Sequence, residues 1–387
     1  TNAPEVTVVS WNVLCPQLCT DIIFPHSRLP DLDDDIRWGR VLRKLSEKVE
    51  ENAVICLQEL SQDWCARLHV FFLKSDYCLV SSNYGKEGDG YMGVAVAFPR
   101  RLYDLPAVSI KRVSEALPRH HSPTEGQGHD HGNSPSSWTI SRSRQNRMIS
   151  LRLRPRGTTY ADKDFVVSTY HMPCFFRDMK VMVIHASLAA QCALEFAGDL
   201  PLILAGDFNF RPGSAPYALL TNGSLPKEHH DHPGPCEDWD LDSSLRVLRS
   251  AYNEKHPSGE PNFTNYSWTK EDADPFIGTL DYIFVSKHPE VLQVDRLPTL
   301  HESRDHLPHE HEPSDHLMIS ARLLPHGKAA IQPVSNGRMA NSFQRPEAKA
   351  KPSNGNQPVQ GRGRSFGSSG SFLRRPLSLS KATKTEK

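Results

Sequence analysis

Five short motifs in this 387-residue chain carry side chains that bind metal, move protons or hold phosphate. They are Ser10-Trp11-Asn12, Leu57-Gln58-Glu59, Thr169-Tyr170-His171, Gly206-Asp207-Phe208-Asn209, and the pair Leu280-Asp281-Tyr282 with Ser314-Asp315-His316. Glu59 offers a hard oxygen ligand suited to Mg²⁺, which takes few protein ligands and keeps water and substrate phosphate. Asp207 and Asn209 stand two apart, so on an extended segment both point to one side. There the carboxylate accepts a proton from water while the amide orients it or donates to a phosphoryl oxygen. Asp281 and His316 are expected to pair, the carboxylate fixing the imidazole tautomer and raising its basicity. Hydrolysis of a phosphate ester needs a metal, an oriented water and donors for the developing charge. This set supplies all three. Each motif alone is weak, since a lone Asp-x-Asn is usually a turn and a lone Gln-Glu is usually solvated. Their order along one chain, each after an apolar run, is informative because open α/β sheets place ligand sites at strand ends.

The apolar runs that must position them are short and β-like: 6–11, 53–57, 92–98, 148–153, 165–170, 202–205, 280–285 and 317–323. Several are almost continuously apolar, as in strands covered on both faces. Helical patterns lie between some of them. In 36–49, Trp38, Val41, Leu42, Leu45 and Val49 form one face with Arg and Lys on the other. Ser61 caps a helix carrying Trp64, Leu68 and Phe72, and 179–196 reads as a third helix. The runs at 92–98, 148–153 and 165–170 have no such helix between them, which predicts mixed sheets in a layered α/β fold.

Composition sets the bounds. Apolar residues make up 38% and charged residues 23%, adequate for a globular core, and no run approaches a membrane span. The first residues show no signal-peptide pattern, so a cytoplasmic or nuclear protein is expected. Lys plus Arg equals Asp plus Glu at 45 each, but residues 327–387 hold twelve Lys/Arg against two Glu. An acidic body therefore precedes a basic tail. The eight cysteines form no C-x-x-C pair, which points to reduced structural thiols. Two His-rich stretches interrupt the pattern. One, near 115–143, carries His120, His121, His129 and His131; the other, near 298–313, carries His301, His306, His309 and His311. Both read as polar surface insertions without fixed geometry. The tail reads as disordered, with Arg362, Arg364, Arg374 and Arg375 attractive to nucleic acid.

The ordered motif set resembles the endonuclease/exonuclease/phosphatase superfamily, over residues 6–323. The resemblance is closest to its Ccr4-type branch of deadenylases, nocturnin, angel proteins and 2′-phosphodiesterase. It implies a four-layer α/β sandwich of two packed mixed sheets flanked by helices. It further implies Glu59 as the main Mg²⁺ ligand (Mn²⁺ being the alternative ion), with Asn12 and Asp315 close to the metal. Asp207 and Asn209 would handle the attacking water, His171 and His316 the scissile phosphate, and Asp281 would orient His316. His171 is followed by Met172-Pro173-Cys174-Phe175-Phe176, which departs from the branch. Phe263, Tyr266, Trp268 and Phe276 flank the later motifs, and an adenine could stack on Trp268 or Phe276 at about 1–3 kcal/mol per base. Asn265 and Pro173 complete the candidate substrate-binding set.

Three functions compete at this point. The first is a Mg²⁺-dependent phosphodiesterase acting on RNA or an adenylate-containing oligonucleotide from its 3′ end. The second keeps the chemistry but takes a small phosphate monoester, such as a dinucleotide 2′-phosphate or an inositol phosphate. The third is a non-catalytic RNA-binding protein, against which the intact Glu59, Asp207, Asn209, Asp281 and His316 count strongly. A polymer needs an open basic groove, for which Arg144, Arg147, Arg177 and Lys180 are candidates. Deleting residues 327–387 should leave the melting temperature and hydrolysis of a short substrate intact. Affinity for longer RNA should fall and its salt dependence flatten, because twelve basic groups are lost. A large drop in melting temperature would show instead that the tail docks on the domain.

Overall fold

The computed structural model describes residues 5–85, 92–117, 136–157, 163–235, 239, 241, 245–303 and 305–327. The stretch with His120, His121, His129 and His131 and the tail from residue 328 onward lie outside them. In chain order the elements are β1 (Val6–Asn12), α1 (Leu29–Leu32), α2 (Asp34–Glu50), β2 (Val54–Leu60), α3 (Gln62–Lys74), β3 (Tyr77–Tyr84), β4 (Met92–Pro99) and β5 (Tyr103–Arg112). Then follow α4 (Ser137–Ser143), β6 (Arg147–Pro155), β7 (Phe165–His171), α5 (Met179–Ala197), β8 (Leu202–Asp207), α6 (Ala215–Asn222), β9 (Arg249–Ser250) and α7 (Ala251–Lys255). The last are β10 (Asn265–Ser267), β11 (Phe276–Gly278), β12 (Asp281–Val285), β13 (Glu290–Val294), α8 (Leu300–Ser303) and β14 (Ile319–Leu324).

Two six-stranded sheets result, ordered β13-β14-β1-β2-β4-β3 and β5-β6-β7-β8-β12-β9, with β10 and β11 as a separate hairpin. Each sheet has one parallel pair, β1–β2 in the first and β7–β8 in the second, among antiparallel neighbours. The mixed-sheet expectation is therefore met. Between the sheets, Val8, Cys56 and Val96 meet Leu151, Val167, Ala205 and Ile283 in one apolar core. The outer face of the first sheet packs on α2 and α3 through Val9, Trp11, Ile55, Val41, Leu45, Trp64 and Leu68. The outer face of the second packs on α5 through Val166, Tyr170, Leu204, Met182 and Leu188. The layers run helix, sheet, sheet, helix. Strands covered on both faces are continuously apolar, as β4 is, whereas β5 at an edge alternates half-buried and exposed residues after a buried Tyr103. By length and composition α5 could cross a membrane, but 72% of its apolar window is buried inside the protein, so it is a core helix.

The structure departs from the sequence reading in three places. Edge strands β3, β5 and β13 lack a clean apolar run, and polar alternation had hidden them. Ser137–Ser143 is a helix capped by Ser136, so that part of the first His-rich stretch is ordered. The described residues of the second stretch are ordered as well. Its Glu312 pairs with Lys44 on α2 at 2.5 Å, and buried His306 packs edge-on against Trp268 at 5.5 Å. Ion pairs to a helix and an aromatic seat supply the geometry that composition did not show.

One ion-pair cluster secures the start of β7, the strand that ends on His171. The enclosed Asp164 carboxylate accepts from Arg152 Nε at 2.5 Å and from Arg154 Nε and Nη2 at 2.7 and 2.9 Å. Burial would raise this carboxyl, but Arg154 and Arg152 outweigh it and hold it below the usual carboxylate range. Asp164→Asn should therefore lower unfolding free energy in urea at pH 7 by about 1–3 kcal/mol. A carboxyl held down in the native state stabilises it above its unfolded-state value, and that stability is lost as pH falls through the native value. Wild-type and variant stabilities should converge in acid, and a constant gap down to acid pH would contradict the pairing.

Candidate active site

Strand ends from both sheets converge on one cavity of about 670 Å³. Parallel β1 and β2 deliver Asn12 and Glu59, while parallel β7 and β8 deliver His171 and Asp207 in register. Antiparallel β12 begins at Asp281, paired directly with Asp207. Three residues here adopt left-handed backbone: Leu14 at φ 56°, Glu59 at φ 60° and Asn209 at φ 53°. Such conformations cost energy in non-glycine residues and collect at functional sites. Glu59 sits where the β2–β4 register shifts, a bulge that re-aims its side chain. Gly206 allows the close approach of β7 and β8, since a Cβ there would lie 1.9 Å from the Tyr170 carbonyl oxygen.

The polar contacts are dense. Asn12 Nδ2 donates to Glu59 Oε1 and to Asp207 Oδ2, each at 3.0 Å, and so ties the two sheets together. Its Oδ1 accepts from Leu14 N at 2.9 Å. Turning the amide over would set that oxygen against two carboxylates, so the orientation is fixed. Asp207 Oδ1 accepts from Asn209 N at 2.9 Å, while Oδ2 has His171 Nε2 at 3.5 Å and His316 Nε2 at 3.7 Å. Burial pushes the Asp207 carboxyl up to about 6, against the opposing pull of the His316 and His171 imidazoles. His316 Nδ1 donates to Asp281 Oδ2 at 2.8 Å, and Thr264 Oγ1 donates to the same oxygen at 2.6 Å. Burial alone would lower His316, but Asp281, Asp207 and Asp315 together hold it well above its ordinary value.

The expectation that Asp207 and Asn209 share one side of an extended segment is corrected. The strand stops at Asp207, and Asn209 turns back in left-handed backbone with Nδ2 donating to Met172 O at 2.9 Å. Both still line the cavity. Among the substrate-side candidates, Pro173, Asn265 and Phe276 line it, whereas Trp268 does not. The Trp268 face is covered by His26, with ring centroids 3.8 Å apart, and its Nε1 donates to Ala273 O. Trp268 therefore builds the wall from behind. Of the four basic candidates only Arg144 lines the cavity, its guanidinium 4.5 Å over the Phe175 ring; Lys270 lines it too.

The donor set fits a divalent cation. Asp315 Oδ2 accepts from Asn265 Nδ2 at 3.0 Å, but its buried Oδ1, like Asp281 Oδ1, has no hydrogen-bond partner among the described residues. Burial and the nearby Glu59 charge both raise Asp315, a repulsion that a divalent ion would relieve. Ligand atoms of Asp207, Asp281 and His316 also lie within 4.8 Å of one another. That trio is a poor ligand set, because His316 is bonded to Asp281 and held protonated. Glu59 with Asp315 is the better pair.

Two residues invisible to motif reading complete the site. Tyr84 lines the cavity beside His171. Arg37, expected on the solvent face of its helix, is fully buried. Its Nε donates to Pro313 O at 2.7 Å and its Nη2 to Val13 O and Leu14 O at 2.8 and 2.7 Å.

Residues 9–316 match the family model described as Endonuclease/Exonuclease/phosphatase family. Human 2′,5′-phosphodiesterase 12 is 37% identical over 323 residues, covering 78% of this chain and 48% of that protein. The Ccr4 subunit of the CCR4-Not complex 3′-5′-exoribonuclease from Aspergillus oryzae is 35% identical over 136 residues, covering 30% of this chain and 16% of that one. The chain thus spans about half the length, or less, of these relatives. Among solved structures, ANGEL2, a 2′,3′-cyclic phosphatase bound to adenosine-2′,3′-vanadate, aligns with TM-score 0.64 at 20% identity over 82% of this chain and 95% of that one. The human nocturnin catalytic domain aligns with TM-score 0.56 at 18% identity, over 83% and 94%. At these identities the structural matches speak for the fold.

The Arg37 bridge makes the integrity of the site measurable. Arg37→Met strands three buried carbonyls, and Arg37→Lys offers one compact ammonium where a planar fork is needed. Either should cost at least about 3 kcal/mol in urea unfolding. A loss within about 1 kcal/mol would mean that the two loops hold themselves.

Proposed function

The chain belongs to the endonuclease/exonuclease/phosphatase family, and we propose that it is a Mg²⁺-dependent phosphodiesterase acting on RNA or adenylate-containing oligonucleotides from the 3′ end. The observation that carries the chemistry is Asp207 Oδ2, a buried carboxylate oxygen with an imidazole nitrogen at 3.5 Å and another at 3.7 Å. A base with a raised pKa between two N–H donors is suited to take a proton from water while the donors meet the phosphate. Asp207 removes the proton as water adds to phosphorus. Asn209 holds Asp207 through its backbone N–H and offers its remaining amide N–H to the water or a phosphoryl oxygen. His316, kept protonated by Asp281, and His171 stabilise charge on the phosphoryl oxygens as the bond to the leaving ribose oxygen breaks. A divalent cation held by Glu59 and Asp315, with Asn12 close by, would neutralise the phosphate and polarise it.

The choice of a polymer over a small monoester is supported by the cavity mouth. Arg144 and Lys270 are cations on its lining, and Phe176 is 61% exposed there. The likeness to 2′,5′-phosphodiesterase 12 adds 2′,5′-linked oligoadenylate to the substrates to be tried.

The test offers the purified protein with Mg²⁺ a panel of 3′,5′- and 2′,5′-oligoadenylate, mixed-sequence RNA, abasic DNA and NADP⁺. Shortening of an oligoadenylate from the 3′ end, stopped by EDTA and by Glu59→Ala, is the expected result. Asp207→Asn should keep KM and lower kcat by about 10²–10⁴. Phosphate release from NADP⁺ alone would move the protein to the monoester reading. Wild-type hydrolysis by Glu59→Ala would refute the metal assignment.

A further inference from the structure

Tyr84 is the last residue of β3, only 9% exposed, at the wall of the cavity. Its hydroxyl lies 2.5 Å from His171 Nδ1, and among the described residues this is its one hydrogen-bond partner. The two rings meet edge-on, with centroids 6.1 Å apart and planes at 64°. A phenol can donate its proton or accept one, and neutral imidazole has one nitrogen of each kind. Were the hydroxyl to accept from Nδ1–H, its own proton would be buried without an acceptor, the costlier arrangement. The satisfied arrangement has O–H donating to Nδ1, which leaves the ring proton on Nε2. Burial holds the phenol well above its ordinary value, so its proton stays in place. Nε2 is the nitrogen turned to the reaction centre, 3.5 Å from Asp207 Oδ2 and 3.9 Å from Glu59 Oε1.

We infer that Tyr84 is a positioning residue for the reaction: it fixes His171 as the Nε2–H tautomer, so the imidazole offers a donor to a phosphoryl oxygen. Without the hydroxyl, Nε2 would spend part of its time as a lone pair facing carboxylates and phosphate, where it repels the substrate oxygen it should bind. His316 is oriented by the opposite chemistry, its Nδ1 donating to a carboxylate. The Tyr84 bond also joins the first sheet to the second. The inference rests on the phosphodiesterase reading of the site.

Tyr84→Phe keeps the ring and its edge contact and removes only the hydroxyl. With Mg²⁺ and an oligoadenylate substrate, kcat should fall about tenfold, as for one lost hydrogen bond in the transition state, with KM nearly unchanged. In a His171→Ala background the same substitution should cost nothing further, because both changes remove one function. Nitrogen NMR of the ¹⁵N-histidine-labelled full chain should show wild-type His171 with Nδ1 unprotonated and Nε2 protonated, and Tyr84→Phe should give a mixture. An unchanged kcat, an equal loss in the His171→Ala background, or a protonated Nδ1 in the wild type would each overturn the inference. His171→Ala with wild-type turnover would refute the role of His171 in hydrolysis, whereas the tautomer signal judges Tyr84 whatever the reaction proves to be.

Discussion

The site depends on one buried guanidinium. Arg37 reaches out of α2 to hold the carbonyls of Val13 and Leu14 just after β1 and that of Pro313 just before β14. Those two loops are 300 residues apart in sequence, and they carry Asn12 at one side and Asp315 and His316 at the other. Enclosing a cation is costly: burial lowers the guanidinium's pKa despite the acidic surroundings, and Nη1 has no hydrogen-bond partner among the described residues. The three carbonyl acceptors and the Trp64 face at 5.1 Å therefore offset only part of the cost. Two further bonds tighten the junction: Ser314 Oγ donates to Asn12 O at 2.7 Å, and Trp11 Nε1 donates to His316 O at 3.0 Å. With the loops pinned, the Asn12 amide can lie between Glu59 and Asp207 and join the sheets at their shared edge.

That junction explains how so many acidic groups share one small volume. Glu59, Asp207, Asp281 and Asp315 would repel one another if left alone. Each instead has an assigned donor: Asn12 and Cys15 N for Glu59, Asn12 and Asn209 N for Asp207, His316 and Thr264 for Asp281, and Asn265 for Asp315. Two oxygens remain without a hydrogen-bond partner among the described residues, Asp281 Oδ1 and Asp315 Oδ1. Asp281 already holds His316 and Thr264 through Oδ2, whereas Asp315 is left facing the Glu59 charge, where a cation would be welcome. The left-handed backbone at Leu14, Glu59 and Asn209 belongs to the same economy. Such backbone persists where the surroundings over-determine it, as the bonds to Asn12 Oδ1, the Glu59 carboxylate and the Asn209 amide do here.

Much of this was legible in the sequence, and the reason is physical. Glu59 and Asp207 follow apolar runs whose period announces the strand, so both type and place can be read, whereas Asp281 opens β12 and its apolar run comes after it. The layered α/β class followed from the same runs. Asn209 lines the cavity from a left-handed turn and not from the expected extended segment, because nothing in Asp-Phe-Asn distinguishes the two. Arg37 looked like one more basic residue on a helix surface, since burial of a cation depends on carbonyls brought from distant loops. Tyr84 ends a strand with no apolar pattern, and its value lies wholly in a partner 87 residues away. Of the two candidate base platforms, Trp268 and Phe276, the Trp268 face is taken by His26, a contact between segments that no local spacing encodes.

The division between what was readable and what was not also separates reaction from substrate. The floor of the cavity is made of strand ends fixed by hydrogen-bond ladders, and in the proposed reaction it serves any phosphate ester alike. The rim is made of loops. On one side Trp268 is clamped between His26 and His306, and the segment around His306 is tied to α2 through Glu312 and Lys44, so that wall is stiff. On the other, Phe176 stands exposed, and the Arg144 backbone is held by Arg112 and Ser114 through its carbonyl. A small monoester would draw its whole affinity from the floor and leave these groups unused. A chain of nucleotides passing over the rim would use them, with a base against Phe176 and phosphates near the two cations. On the proposed reading the rim sets the choice among phosphate esters, and it is built from residues whose meaning appears only once the loops are folded.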